Sequence, residues 1–229
     1  MDIQGLEKMT LLDWPGKVAC TVFLGGCNFR CPFCHNSGLI DGPMPEALST
    51  DLFFAFLEKR RGLLDGVCVT GGEPLLRPDL AQLLERIKSL GYAVKLDTNG
   101  SQPGRLTRLC QAGLVDYVAM DIKNSPARYA LTCGLEDMDL EPVRQSAACL
   151  MSGKVDYEFR TTVVRQFHTR EDMLEIGRWL SGARRYFLQA FVARNTVPRQ
   201  DLTPYSRAEM ENFVRVLSPF IPAVSLRGI

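Results

Sequence analysis

Apolar residues recur along the chain in two alternating rhythms. Short, nearly continuous apolar runs, rich in β-branched residues, predict buried strands over residues 18–24, 66–70, 93–97, 115–121, 156–164 and 185–190. Between them the spacing turns helical. Ser49, Thr50 and Asp51 offer a cap ahead of the apolar run 52–57. Pro78 and Asp79 open a helix whose Leu80, Leu83, Leu84, Ile87 and Leu90 share one stripe, and Gly91 stops it. Leu106, Leu109 and Cys110 mark another helix, ending near Gly113. Further helices are expected over 140–152, 170–181 and 206–217, and a terminal strand over 223–226. The helix at 170–181 turns Met173, Leu174, Ile176, Gly177 and Leu180 inward.

Strand and helix in alternation call for a parallel sheet with helices on its outside. The fold class is α/β. The sheet is either doubly wound or a partial (β/α)6 barrel of the TIM type, and the partial barrel is the expectation carried forward. In both arrangements ligands bind at the C-terminal ends of the strands. Those ends carry Gly25-Gly26-Cys27, Thr70-Gly71-Gly72-Glu73-Pro74, Asp97-Thr98-Asn99-Gly100 and Asp121-Ile122-Lys123. Polar and Gly-rich residues thus return at one position of the repeat, so a site assembled from several strand ends is expected. Residues 18–229 read as one core domain, and residues 1–17, with a turn at Asp13-Trp14-Pro15-Gly16, as a short N-terminal addition.

Composition narrows the choice. The 229 residues carry a formal net charge of +1 and 46% hydrophobic residues. That balance argues against a nucleic-acid or membrane-surface binder, which would show a basic excess. No apolar run is long enough to span a bilayer, and the first residues lack the basic-then-apolar order of a signal peptide, so a cytoplasmic protein is expected. The 8 cysteines stand out. A disulfide-stapled secreted domain is usually shorter and richer in loops. Cys20, Cys68, Cys110, Cys133 and Cys149 are scattered, and Cys20 and Cys68 sit in apolar strands as packing residues.

Cys27, Cys31 and Cys34 form a C-x3-C-x2-C cluster on the loop after the first strand. Three thiolates so spaced can hold three corners of an iron–sulfur cubane, whereas a closed site uses four. An iron left open can bind a substrate, as catalytic metals do. The other reading is structural zinc, with His35 or a distant cysteine as fourth ligand.

With Phe33 before the last cysteine, this motif resembles that of the radical S-adenosylmethionine (SAM) enzymes. Within them the chain is most similar to the anaerobic ribonucleoside-triphosphate reductase activating proteins of a long form. The resemblance runs from Gly5-Leu6-Glu7-Lys8 and Asp13-Trp14-Pro15-Gly16-Lys17, through residues 23–36, to Thr70-Gly71-Gly72-Glu73-Pro74. It implies that Cys27, Cys31 and Cys34 ligate a [4Fe–4S] cluster and that SAM chelates the fourth iron. Phe33 would lie near the adenine. Gly71 and Gly72, lacking Cβ, would let the backbone approach the methionine end, and their carbonyls with Glu73 would receive its ammonium. The reduced cluster would cleave SAM to a 5′-deoxyadenosyl radical. Asp97-Thr98-Asn99-Gly100 and Asp121-Ile122-Lys123 resemble motifs of the pyruvate formate-lyase activating enzymes. Asp97, Thr98, Asn99, Asp121 and Lys123 would then meet the cofactor's ribose or carboxylate, or a nearby cation; Asp-x-Asn-Gly is also a favourable turn.

The implied partners are a large glycyl radical enzyme, the anaerobic ribonucleotide reductase, and an electron donor such as flavodoxin or ferredoxin. Arg160 and Gln189 are polar residues of apolar strands that would face the barrel interior. His35 would position the cysteine loop rather than bind metal. Residues 194–199 are a candidate contact for the partner. Between Cys34 and Cys68 the chain lacks the extra cysteine clusters of the glycerol dehydratase activators, and it continues beyond the shortest reductase activators. A small-molecule enzyme such as a deazapurine synthase is the competing reading. An electron carrier, which would complete four cysteines locally, is a third.

Overall fold

A computed structural model describes residues 2–41 and 47–228; Met1, residues 42–46 and Ile229, which the expected segments include, lie outside the described residues. The repeat begins at β2 (Ala19–Leu24). It continues through β4 (Gly66–Gly71), β5 (Ala93–Thr98), β6 (Tyr117–Asp121), β7 (Asp156–Val163), β8 (Tyr186–Ala190) and β9 (Val224–Arg227), each parallel to the one before. Helices α1 (Thr50–Lys59), α2 (Leu80–Ser89), α3 (Pro103–Gln111), α4 (Tyr129–Cys133), α5 (Glu141–Met151), α6 (Arg170–Trp179) and α7 (Arg207–Leu217) fill the crossovers. Ser49 caps α1 through its hydroxyl, as the sequence suggests, and Thr169 and Ser206 make capping boxes for α6 and α7.

The residues set apart as an N-terminal addition join the same sheet. β1 (Asp2–Thr10) pairs antiparallel with β2, from Ile3 opposite Leu24 to Thr10 opposite Ala19, and β3 (Leu48–Ser49) pairs with β1. Among the described residues the sheet has nine strands in the order β3-β1-β2-β4-β5-β6-β7-β8-β9 and does not close. This is the expected α/β parallel sheet of a partial barrel, extended at both ends.

Period-two alternation divides each strand between two environments. Cys20, Val22 and Leu24, Val67 and Val69, Val94 and Leu96, and Val118 and Met120 are fully buried in the main core, which also takes in the inner faces of the helices. The intervening residues line the barrel. At its base Trp14, Ala19, Cys68 and Tyr117 form a second, small cluster, with the Trp14 and Tyr117 rings 6.1 Å apart. A Cβ at Gly66 would stand 2.6 Å from the Trp14 ring, so glycine there makes room for the plug. Beside it, fully buried Glu158 accepts from the Tyr117 hydroxyl (2.8 Å) and from both Arg227 amino nitrogens (2.8 and 3.1 Å), tying β9 to β7 across β8. The top of the barrel, at the strand ends, is open.

Candidate active site

β2 runs out at Leu24, and Gly26 (φ +90°) turns the chain into the cysteine loop. The loop is braced on several sides. The Gly26 amide donates to the Leu39 carbonyl (2.7 Å), Arg30 to Cys133 (2.8 Å), and Arg199 to Pro32 (3.0 Å). Phe29, Cys31 and Phe33 are buried, and the Phe33 ring lies 5.9 Å from that of Phe167. His35 Nε2 donates to the Val192 carbonyl (2.8 Å) while its ring stacks on Phe191 at 5.8 Å, so this histidine is engaged in bracing the loop. The same contacts fold the segment after β8 back onto the cysteine loop. Within residues 194–199 Val197 is buried and the rest are exposed.

The three thiols face different conditions. Burial pushes Cys27 up to about 11 and raises Cys34 as well. Cys31 is drawn down to about 7, first by a hydrogen bond with Cys133 and then by the Lys123 ammonium. Lys123 favours the thiolate form of all three. Among the described residues no three His, Cys, Asp or Glu side chains converge as ligands of one ion. Structural zinc requires that convergence. A cubane takes each thiolate at a different iron, and Cys27, Cys31 and Cys34 all line the same cavity.

At the end of β4 the chain is pressed against β2. A Cβ on Gly71 (φ +125°) would fall 2.2 Å from the Leu24 carbonyl oxygen, and one on Gly72 2.1 Å from that of Gly26. The glycines are therefore required first by the protein's own backbone, a reason that the sequence did not suggest. Asn36 donates to the Gly71 carbonyl (3.3 Å). Glu73 is not in the cavity wall. It is fully buried and accepts from Leu75 N (3.0 Å), Thr98 Oγ1 (2.8 Å) and Asn99 N (2.6 Å), which pins the β5 turn to the β4 end. Burial outweighs these bonds and pushes its carboxyl up to about 7.

A ladder of charge crosses the barrel beneath. Fully buried Lys95 pairs with Asp97. The Arg160 guanidinium reaches Asp97 (3.0 Å) on one side and Asp121 (2.8 Å) on the other, and Lys123 reaches Asp121 (3.0 Å). Arg160, with help from the lysines, holds both carboxyls down against the opposing effect of burial, Asp121 to about 2. Asp97 and Asp121 thus face an internal cation. The ladder carries one more positive than negative group, and the excess lies at Lys123, on the thiol side.

These pieces enclose a cavity of about 380 Å³. Cys27, Cys31, Cys34 and Phe33 form its roof, and Gly71, Gly72, Thr98 and Asn99 one wall. Asp97, Asp121, Lys123 and Gln189 line the remainder, together with Arg160. Asn99 Nδ2 donates to Asn28 (2.9 Å) and lies 4.0 Å from the Cys27 sulfur. Every site residue expected from the sequence except Glu73 therefore meets in one chamber. Asp13, Thr21, Phe23, Asn36 and Thr162 also line it without having been expected there. Thr21 and Phe23 could have been found from the inward parity of β2. Asp13, which accepts from Thr21 Oγ1 (2.5 Å), comes from the β1–β2 turn; the sequence marks its stretch for the turn and the resemblance, without a place in the site.

A profile of the Radical SAM superfamily matches residues 21–180. The chain belongs to that superfamily. Radical SAM proteins bind a [4Fe–4S] cluster and SAM, and these are its cofactors. It is 27% identical over 237 residues to a Methanocaldococcus jannaschii protein named "Putative glycyl-radical enzyme activating enzyme", covering 99% of this chain and 96% of that one. It is 31% identical over 158 residues to the 7-carboxy-7-deazaguanine synthase of Koribacter versatilis, covering 67% of this chain and 65% of the relative. Its fold is similar to that of Streptococcus suis SuiB bound to S-adenosylmethionine (TM-score 0.70, 12% identity), over 91% of this chain and 52% of the other. The chain thus spans about half of that solved structure. Among the described residues, no helix of this radical SAM protein is long and apolar enough to cross a membrane.

Proposed function

We propose that the protein is a radical SAM activase that installs a glycyl radical on a large anaerobic enzyme, the anaerobic ribonucleotide reductase. The observation that carries the activase reading is the match along nearly the full length of both chains to the Methanocaldococcus relative. The reductase is favoured by the residues around Gly5–Lys8, Asp13–Lys17 and the cysteine loop, whose pattern resembles that of the reductase activators.

Cys27, Cys31 and Cys34 hold the cluster in this reading. When bound, the reduced cluster and SAM supply a 5′-deoxyadenosyl radical able to abstract hydrogen from a neighbouring C–H. The chain's own residues orient and shield. Phe33, fixed against Phe167, offers an apolar face for the adenine. The Gly71 and Gly72 backbone offers carbonyls to the ammonium, and Lys123, the excess cation of the ladder, suits the carboxylate. Asp97, Thr98, Asn99, Asp121 and Gln189 complete the polar lining. Glu73 acts from behind by holding Thr98 and Asn99 in place. A flavodoxin or ferredoxin would supply the electron.

The deazaguanine synthase match favours a second reading, a radical SAM enzyme acting on a purine precursor. One experiment separates the two. Reduced, cluster-loaded protein is mixed with SAM and an anaerobic ribonucleotide reductase from the same source, and electron paramagnetic resonance is recorded. An activase gives a glycyl radical doublet that a Gly→Ala change in the reductase radical loop removes. A reductase left radical-free, with a purine precursor converted instead, establishes the second reading.

A further inference from the structure

His168, one of the 2 histidines of the chain, is fully buried in the loop that follows β7. Its Nε2 lies 2.9 Å from the Lys123 carbonyl oxygen. A carbonyl only accepts, so Nε2 carries the proton. Burial lowers the pKa of the ring and keeps it neutral, which leaves Nδ1 to accept from the Val164 amide (3.1 Å). One imidazole thus bridges the loop after β7 and the chain leaving β6. The spacing of the sequence gives no sign of this, because the two residues stand 45 positions apart.

Lys123 is where such a brace is needed. Past the end of β6 the Ile122 amide still donates to the Arg160 carbonyl (2.8 Å). The Lys123 carbonyl comes after it, and His168 supplies its donor. The next two residues are held from the same side. Asn124 Nδ2 donates to the Phe167 carbonyl (2.8 Å), and Ser125 Oγ to an oxygen of buried Asp172 (2.6 Å). The His168 carbonyl itself accepts from the Tyr205 hydroxyl (2.5 Å), which ties the brace to the segment ahead of α7. A side chain reaching into a cavity is placed no better than the backbone that carries it. We propose that His168 is a positioning residue for Lys123: by holding the Lys123 carbonyl, it fixes the lysine where its ammonium meets the SAM carboxylate. His168 is not among the residues that line the cavity, and no contact between it and SAM is required. The inference rests on the reading of Lys123 as the partner of that carboxylate.

The test is SAM binding to the cluster-loaded protein under anoxic conditions, by equilibrium dialysis. Wild type is compared with His168→Asn, His168→Gln, Lys123→Met and the double variant carrying His168→Asn and Lys123→Met. Iron is counted in each, so that affinities are compared at equal loading. The Gln amide ends near the position of Nε2 and keeps the donor to Lys123. The Asn amide ends near Nδ1 and loses it. Lys123→Met should weaken binding about 10- to 150-fold, the range for one charge-assisted hydrogen bond. His168→Asn should weaken it about tenfold, a part of that loss, and Gln should restore most of it. In the Lys123→Met background His168→Asn should add less than about twofold, because the group it positions is gone. A histidine with a merely structural role would cost the same factor in both backgrounds, and that result overturns the inference, as does full affinity in His168→Asn. Unchanged affinity in Lys123→Met refutes the reading of Lys123 itself. Should the Asn variant fail to fold, amide hydrogen exchange takes its place. Saturating SAM should slow exchange over residues 164–168 in the loaded wild type and not in Lys123→Met, and an equal change in the two overturns the inference.

Discussion

Replacing Arg160 by Met removes the central rung of the charge ladder while keeping most of the side-chain volume. Arg160 now separates Asp97 and Asp121, at 3.0 and 2.8 Å. Without it two carboxylates share a largely buried space, each left with one lysine. Removing one partner of a buried pair costs about 3–5 kcal/mol. The remaining lysines, and the part of Asp121 that solvent reaches, favour the low end, about 3 kcal/mol. A second route gives a similar size. Asp121 is held from 3.8 down to about 2, mainly by Arg160. That depression contributes roughly 2 kcal/mol at neutral pH, and Asp97, lowered for the same reason, adds to it. For a chain of this length, 3 kcal/mol is roughly 6–12 °C in melting temperature. Depressed carboxyls stabilise the fold above their unfolded pKa and lose that contribution as pH falls through the folded value. The gap between wild type and Arg160→Met should therefore be full at pH 7 and close below about pH 4. Urea unfolding of the cluster-free protein across this range measures it. A gap under about 1 kcal/mol at pH 7, or one that is the same at pH 7 and pH 3, would refute the ladder as described.

Gly72→Ala should lower stability by about 1–3 kcal/mol or more, since its Cβ would stand 2.1 Å from the Gly26 carbonyl oxygen; thermal melting should show this, and cluster loading should fall with it because the displaced strand end carries the cysteine loop. Glu73, raised to about 7, favours the folded state most below its unfolded pKa near 4.5, so wild-type stability should decline as pH rises through about 7. Glu73→Gln should show no such decline between urea midpoints measured at pH 4.5 and 7.5. Cys110→Ala and Cys149→Ala, on the outer helices α3 and α5, should retain the full iron content, whereas Ala at Cys27, Cys31 or Cys34 should lose it, as colorimetric iron and sulfide assays would report.

The parallel strands were legible because burial on both faces writes them as apolar runs with a characteristic ending. β1 was not, since Asp2–Thr10 mixes charged and apolar residues and takes its pairing from β2, a partner distant in meaning from its own composition. The members of the chamber could be read from their shared place at the strand ends. Their couplings could not. Nothing in the spacing of Asp97, Asp121 and Arg160 shows that one guanidinium bridges both acids, because the bridge depends on the register that sets Asp121 opposite Arg160. Glu73 was expected at the ligand for its motif, yet its two oxygens are taken by Leu75, Thr98 and Asn99, donors supplied by a neighbouring turn as well as its own. Cys133 lies far from Arg30 in sequence, and only the folded chain shows its carbonyl accepting from the Arg30 amide, with Gly134 packed against Arg30.

The most direct test of the site is Mössbauer spectroscopy of protein reconstituted with 57Fe, before and after SAM is added under anoxic conditions. Three cysteines in the chamber leave one iron of a [4Fe–4S] cluster for SAM, so about a quarter of the iron signal should shift when SAM binds, and the rest should stay. A spectrum unchanged by saturating SAM, or a shift shared equally by all the iron, would contradict a cofactor held at an open iron between the cysteine loop and the charge ladder.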